Sequence, residues 1–381
     1  MEKHNKNESH RMVGQMKNDK RIVLTLDAGG TNFRFSAIRA AQLISEPLNI
    51  SAQAHNLEAV LDNIVLGFQS LIDQLDQEVS AISFAFPGPA DYEKGIIGDL
   101  ENLPLFRGGV ALGPFLEKHF QLPVFINNDG DLFALGEAKA GLLPKINRAL
   151  ENADNPKRYR NLLGLTFGTG FGAGIVSGGS LFGGDNSAQA EINRMRNHLL
   201  PETSIEDSVS IRAVKRVYAQ EAGVDLANCP NPFEIFKIGK GLVKGDKVAA
   251  LKAFRTLGIA AGNAAANAVT LTDSLVVIGG GLSGAAELFL PALCGEMNRP
   301  FQNLQGNTTE RMEVKTYNLE TELDAFTKTE LKQIKIPRSE ETIAYDSAKK
   351  TGVGLAVLDT SEAVAIGAYA FALQKLDELG A

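Results

Sequence analysis

One local pattern occurs twice in this chain and limits the folds open to it. Ile22-Val23-Leu24-Thr25-Leu26 is a β-rich run that enters Asp27-Ala28-Gly29-Gly30-Thr31, and Asn32 to Ile38 then alternates polar and apolar residues. An alternation of period two marks a second strand, so the glycines form a hairpin turn. About 140 residues later Asn161 to Phe167 leads into Gly168-Thr169-Gly170-Phe171-Gly172-Ala173-Gly174, followed by Ile175-Val176-Ser177. In Rossmann and Walker-type nucleotide sites the glycine loop opens a helix, whereas here it joins two strands. Gly168 to Ala173 fits a GxGxxA fingerprint, but the turn Ser177-Gly178-Gly179 comes too soon for the helix that fingerprint needs. The Walker pattern occurs nowhere. Two strand–turn–strand units predict an α/β protein of two similar halves.

Other segments supply helices and strands around these units. Asn56 to Gln77 places Leu57, Val60, Leu61, Ile64, Val65, Phe68 and Leu71 on one helical face. Val79 to Phe86 and Leu122 to Ile126 read as buried strands, the second running into Asn127-Asn128-Asp129, and Phe133 to Leu142 reads as a helix. Gly258 to Val269 is a helix of small residues before the strand Ser274 to Ile278 and the turn Gly279-Gly280-Gly281. Residues 299–353 show no clear pattern. Asp359 with Glu362 resembles a capping box ahead of the apolar helix Ala363 to Leu376.

Length and charge narrow the classes further. A chain of 381 residues suggests two domains at roughly 100–200 residues each. A net charge of −7 argues against general nucleic-acid binding, which needs a positive field. No run approaches the roughly 18 apolar residues of a membrane span. Cys229 and Cys294 can form neither a disulfide framework nor a four-thiolate zinc site, so a reduced, cytoplasmic setting is expected. Residues 1–20 are polar and of mixed charge; they predict a mobile tail too short for a helix-turn-helix domain, with order beginning at Arg21. The histidines lack metal-ligand or triad spacing.

Three places can carry chemistry. Asp27 with Gly29, Gly30 and Thr31 offers backbone N–H groups for phosphate oxygens and a carboxylate for water-bridged Mg²⁺, although an ordinary hairpin with a turn Asp has the same composition. Gly168, Thr169 and Gly170 form the matching turn, and Gly279, Gly280 and Gly281 would let a flat nucleoside lie against the backbone. Asp129 comes just after a strand, beside Asn127 and Asn128. Phosphate transfer from ATP to an alcohol needs such a carboxylate near the attacking hydroxyl, and asparagines can bind further hydroxyls of a sugar. A helix N-cap accounts for the same residues.

The order Asp27-Ala28-Gly29-Gly30-Thr31-Asn32, Pro87-Gly88, Asn102-Leu103-Pro104, Asn128-Asp129, Gly168 to Gly174, Glu191 and Gly279 to Gly281 resembles the ROK family of sugar kinases and sugar-responsive repressors, in the actin/hexokinase superfamily. The resemblance spans roughly Arg21 to Leu282 plus the last helix. It implies two ribonuclease-H-like α/β domains with a cleft between them: a small domain over 21–128 completed by a helix at 362–381, and a larger one over 129–361. It further implies Asp129 as catalytic base and Asn102, Asn128 and Glu191 as sugar contacts. Gly29–Asn32 and Gly168–Gly170 become phosphate turns, and Gly279–Gly281 the adenosine side. The family usually carries Gly-Glu-x-Gly-His, then zinc-binding cysteines. Here Ala190-Glu191-Ile192-Asn193-Arg194 puts Arg194 where that His would be, and the cysteines are absent. Ser204 to Ser210 resembles the family's stretch just after its cysteine cluster, which puts Glu206 at a second sugar carboxylate. The expectation is a zinc-free kinase using ATP and Mg²⁺ on a hexose, with glucose first among the sugars and a homodimer left open. The rival is a sugar-sensing regulator without catalysis or a DNA-binding domain; an actin-like ATPase would lack the sugar residues.

Overall fold

The computed structural model describes residues 16–28, 32–52, 55–99 and 104–380. Gly29, Gly30, Thr31 and Asn102 lie outside the described residues. The alternation before Arg39 does produce a hairpin: β1 (Ile22–Ala28) and β2 (Asn32–Arg39) pair antiparallel from Val23 with Ile38 to Ala28 with Phe33. Short strands β3 (Gln42–Leu43) and β4 (Leu48–Ser51) flank β2. Helix α1 (Leu57–Gln74) starts where Asn56 accepts the Ala59 N–H at 2.9 Å. Its stripe of Val60, Leu61, Ile64, Phe68 and Leu71 is buried, with the Phe68 ring edge-on to Phe35. β5 (Val79–Ala85) runs parallel to β1. After the two-stranded β6 (Ala90–Asp91) and β7 (Ile96–Ile97) and helix α2 (Leu112–Phe120), β8 (Val124–Asn127) adds to β5 in parallel. An antiparallel hairpin continued by parallel strands, with helices between them, results.

Helix α3 (Asp129–Lys139) begins at Asp129 rather than at Phe133, because Asn128 caps it, and α4 (Leu142–Asn152) comes next. Strand β9 (Leu162–Phe167) precedes the glycine turn, and β10 (Phe171–Ser177) forms a hairpin with β11 (Ser180–Leu181). α5 (Ile211–Ala222), α6 (Pro232–Gly239) and the long α7 (Lys247–Thr272) succeed them. The small residues of α7 serve packing: a Cβ on Gly258 or Gly262 would press on the carbonyl oxygens of Phe289 or Leu293 in α8 (Ala286–Met297). β12 (Leu275–Gly279) runs parallel to β9.

The segment with no clear sequence pattern is structured. It holds the hairpin β13 (Phe301–Gln302) and β14 (Thr308–Thr309), then β15 (Lys315–Asn318) and α9 (Leu323–Thr327). A second hairpin of β16 (Lys332–Lys335) and β17 (Thr342–Tyr345) precedes β18 (Lys350–Leu355). β18 lies parallel to β12 and β15 parallel to β18, so this stretch adds two parallel strands to the mixed sheet that holds β9 to β12.

The described residues fall into two compact units, one drawn from Met1–Pro144, Gly172–Glu191 and Ala356–Ala381 and the other from Lys145–Phe171 and Ile192–Leu355. The division thus falls past α3, not before it. The reason is packing: α10 (Thr360–Leu379), started by an Asp359 cap on the Ser361 N–H at 3.0 Å, crosses α3 at glycines. A Cβ on Gly136 would overlap the Ala363 carbonyl, and one on Gly367 the Leu132 carbonyl. Glu137, fully buried, accepts backbone N–H bonds from Leu142, Val357 and Leu358 and ties the same region. Order also begins earlier than Arg21: Met16 is buried, and Asp19 pairs with Arg21 at 2.8 Å. No helix among the described residues is long and apolar enough to cross a membrane.

Gly→Ala in an exposed helix interior stabilises by up to about 1 kcal/mol. Gly136→Ala is expected to do the reverse, lowering stability by about 2 kcal/mol through overpacking against α10. Urea denaturation measures it, and a variant as stable as the parent contradicts this packing.

Candidate active site

Strand β8 ends in buried Asn127, whose side-chain oxygen accepts the Asn128 N–H at 2.8 Å. Asn127 therefore faces inward and is not open to a ligand. Asn128 is the N-cap of α3, its carboxamide oxygen accepting the Gly130 N–H at 2.8 Å while Nδ2 reaches the Tyr92 hydroxyl at 3.4 Å. Helix cap and candidate site thus coincide at Asn128–Asp129. The cap holds Asp129 on the first turn, where Oδ1 also accepts the Gly130 N–H at 2.8 Å. Asp129 is exposed, yet protein atoms crowd it. That desolvation lifts its carboxyl above the usual carboxylate range; the N–H groups of Gly130 and of Asp129 itself oppose the rise, and the charge of Asp27 adds to it.

Glycine makes this placement possible. A Cβ on Gly130 would fall 2.5 Å from the Ala173 oxygen, and one on Gly174 2.6 Å from the Asp131 Cα, so β10 runs against the start of α3 backbone to backbone. Gly174, part of the second glycine run in the sequence, is thus a packing residue.

Asp27 lies in β1 as an exposed carboxylate and lines a cavity of about 500 Å³ bounded also by Arg34, Gln42, Ser361 and Glu362. Asn32 opens β2 and is exposed. Glu191 is exposed at the end of the segment after β11. Asp27, Asn32, Asn128, Asp129 and Glu191 belong to the first unit.

The second unit carries the other glycine turns. The Gly168 N–H bonds the Gly170 carbonyl at 3.0 Å, leaving Thr169 exposed at the tip. Glu206 braces this turn, accepting the Phe171 N–H at 3.1 Å and pairing with Arg212 at 3.1 Å. Gly280 has φ +85°, and a Cβ there would lie 2.5 Å from the Phe167 oxygen, so the Gly279–Gly281 turn sits directly against the residue that precedes Gly168. Gly281 has open space around its Cβ position. Arg194 is exposed at the end of a short 3₁₀ turn, Ile192–Arg194.

Sequence reasoning missed Tyr92, Asp131 and Gln189. Asp131 is 1 % exposed, and its Oδ2 accepts the Gln189 Nε2–H at 2.7 Å. Burial raises its carboxyl to about 7; the Gln189 bond opposes the rise, and Asp129 and Glu191 add to it. The one signal available was a second acidic residue two places after Asp129.

The sequence model of the ROK family matches residues 23–319. A crystal structure of glucokinase from Parabacteroides distasonis is 50% identical, covers 94% of this chain and 99% of its own, and superposes with a TM-score of 0.87. Glucokinase of Thermotoga maritima is 24% identical over 291 residues, 71% of this chain and 85% of that protein. A ROK family glucokinase from Streptomyces griseus, crystallised with glucose and AMPPNP, shares the fold at 18% identity, covering 91% of this chain and 98% of that one, with a TM-score of 0.55.

Because Asp131 binds its proton more tightly folded than unfolded, folding loses stability as pH rises from about 4 through about 7. Every tenfold gain in proton affinity on folding corresponds to about 1.4 kcal/mol. Asp131→Asn is expected to flatten this slope: its melting temperature exceeds the parent's at pH 8 and matches it at pH 4. Melts showing the same slope in both proteins contradict the assignment. Asp129, Glu191 and Tyr92 are the titratable groups facing Asp131, so the comparison is made on this single substitution.

Proposed function

Since the chain belongs to the ROK family, we propose that it is an ATP-dependent kinase that phosphorylates a hexose hydroxyl, with glucose as the first candidate. The observation that carries this reading is Asp129: a solvent-reached carboxylate fixed on the first turn of a helix, close enough to Asp27 to feel its charge. The 50% identity to a glucokinase structure over nearly the whole chain supports glucose, and the nucleotide complex of the S. griseus relative supports ATP as donor.

In this reading the sugar enters a cleft between two ribonuclease-H-like domains, and Asp129 accepts the proton of the acceptor hydroxyl. The oxygen forms its bond to the γ-phosphorus as the bond to the ADP oxygen breaks, and the proton later passes to water. Positioning and charge neutralisation supply most of the rate, so the carboxylate need not be a strong base. Asn128, Glu191, Glu206, Arg194 and Asn102 are the sugar-side residues. Asn128 would reach the sugar with groups its cap leaves over, and Glu206 would act beside the turn it braces. Gly29–Asn32 and Gly168–Gly170 receive phosphates, and Gly279–Gly281 the adenosine. Asp27 suits Mg²⁺ held through water, being an exposed hard oxygen donor. The ion supplies charge neutralisation at the phosphates. Structural zinc is not expected, because residues 183–204 contain one His, His198, and no Cys. A cytoplasmic location fits this chemistry.

With Mg-ATP and glucose the protein is expected to form ADP and sugar phosphate, and Asp129→Asn to lower kcat roughly 10²–10⁴-fold while its melting curve remains cooperative. Screening hexoses, N-acetylhexosamines and ketoses identifies the acceptor. Sugar binding with no turnover on any of them would make the protein a sensor, and ADP formation indifferent to sugar would make it an ATPase. Stoichiometric zinc in a metal assay would overturn the zinc-free reading.

A further inference from the structure

Asp131 has no task in the mechanism above, yet its surroundings are costly. The side chain is buried two residues after the base, Oδ2 is held by a neutral amide, and Oδ1 is buried with no hydrogen-bond partner among the described residues. An apolar side chain at this helix start would avoid leaving a polar atom unsatisfied, so the carboxyl is retained against a penalty.

Its grip falls on the segment that ends in Glu191. Gln189 bonds Asp131 through Nε2 and accepts the Gly184 N–H through Oε1 at 3.3 Å, which closes the 184–189 turn on itself. Ser187 and Ala190 flank Gln189 in left-handed backbone, with φ of 51° and 58°. Such non-glycine residues persist where surrounding bonds over-determine them. A second tie runs from the Tyr92 N–H to the Ser187 oxygen at 3.1 Å, and the Tyr92 hydroxyl meets Asn128. The segment is therefore fastened twice to the start of α3, once on each side of Asp129 in sequence.

We propose that Asp131 is a positioning residue: by gripping Gln189 it sets where the 184–191 segment holds Glu191 relative to Asp129, and so governs affinity for the sugar rather than for ATP. This rests on the reading of Asp129 and Glu191 as sugar-side groups.

The test measures binding of glucose and of N-acetylglucosamine by calorimetry, with steady-state kinetics alongside. The proteins are the parent, Asp131→Asn, Asp131→Leu, Gln189→Leu and the Asp131→Leu/Gln189→Leu double variant. Each single Leu substitution is expected to weaken the sugar bound by the parent about tenfold and to leave the KM for ATP within twofold. The double variant is expected to bind no worse than either single one, because both remove the same tie. Asp131→Asn keeps an oxygen for the Gln189 amide and stays within twofold of the parent. Half-buried Gln189 carries the comparison should Asp131→Leu fail to fold. Additive losses in the double variant, an Asn variant as weak as Leu, a Gln189→Leu variant with unchanged sugar affinity, or a matching rise in the ATP KM would each overturn the proposal. A parent that binds sugar without turnover defeats the kinase reading and leaves the affinity ratios to judge Asp131. A parent that binds neither sugar overturns both.

Discussion

Helix α3 is clamped on two sides by contacts that only glycine permits, and the rest of the site depends on that clamp. Gly136 and Gly367 bring α3 and α10 together until each glycine meets the other helix's carbonyl, at Ala363 and at Leu132. Gly130 and Gly174 do the same between the first turn of α3 and β10. A helix start fixed by backbone contact cannot tilt without breaking several such contacts together, so the side chain at its first position is aimed by main chain rather than by flexible neighbours. Asp129 occupies that position. The clamp also explains why α3 stays with the first compact unit.

On this rigid base the first unit gathers negative charge. The charges of Asp129 and Glu191 act on Asp131, and that of Asp27 acts on Asp129. Burial raises the proton affinities of Asp129 and Asp131, an arrangement unfavourable in a resting protein and understandable where a cationic or proton-donating ligand completes it. The second unit contributes mostly main chain: the Gly168–Gly170 turn braced by Glu206, and the Gly280 turn lying on Phe167. In the proposed kinase these are different tasks, proton handling in one unit and anion binding by N–H groups in the other.

Local elements are legible in the sequence, and long-range constraints are not. The β1–β2 hairpin comes from alternation, and α1 from an apolar stripe behind Asn56, because both patterns complete themselves within a few residues. Periodicity places the start of α3 at Phe133, four residues late, since the cap of α3 and the proposed sugar contact fall on the same residue, Asn128. Gly174 reads only as the last glycine of the second glycine run; its packing role depends on Gly130, which lies far away in sequence. Asp131 is invisible for a similar reason, its partner Gln189 being 58 residues distant. Strands β15 and β18 escape detection because each is short and is set among polar hairpins, and only their parallel neighbours make them part of a sheet.

The central claim is that Asp129 meets the hydroxyl that receives phosphate, and a crystal structure of the protein with glucose and a non-hydrolysable ATP analogue tests it most directly. The account predicts an Asp129 carboxylate oxygen at about 2.6–3.2 Å from a sugar hydroxyl that faces the γ-phosphate. A sugar bound elsewhere, or an Asp129 turned away from every hydroxyl while both ligands are present, would contradict it.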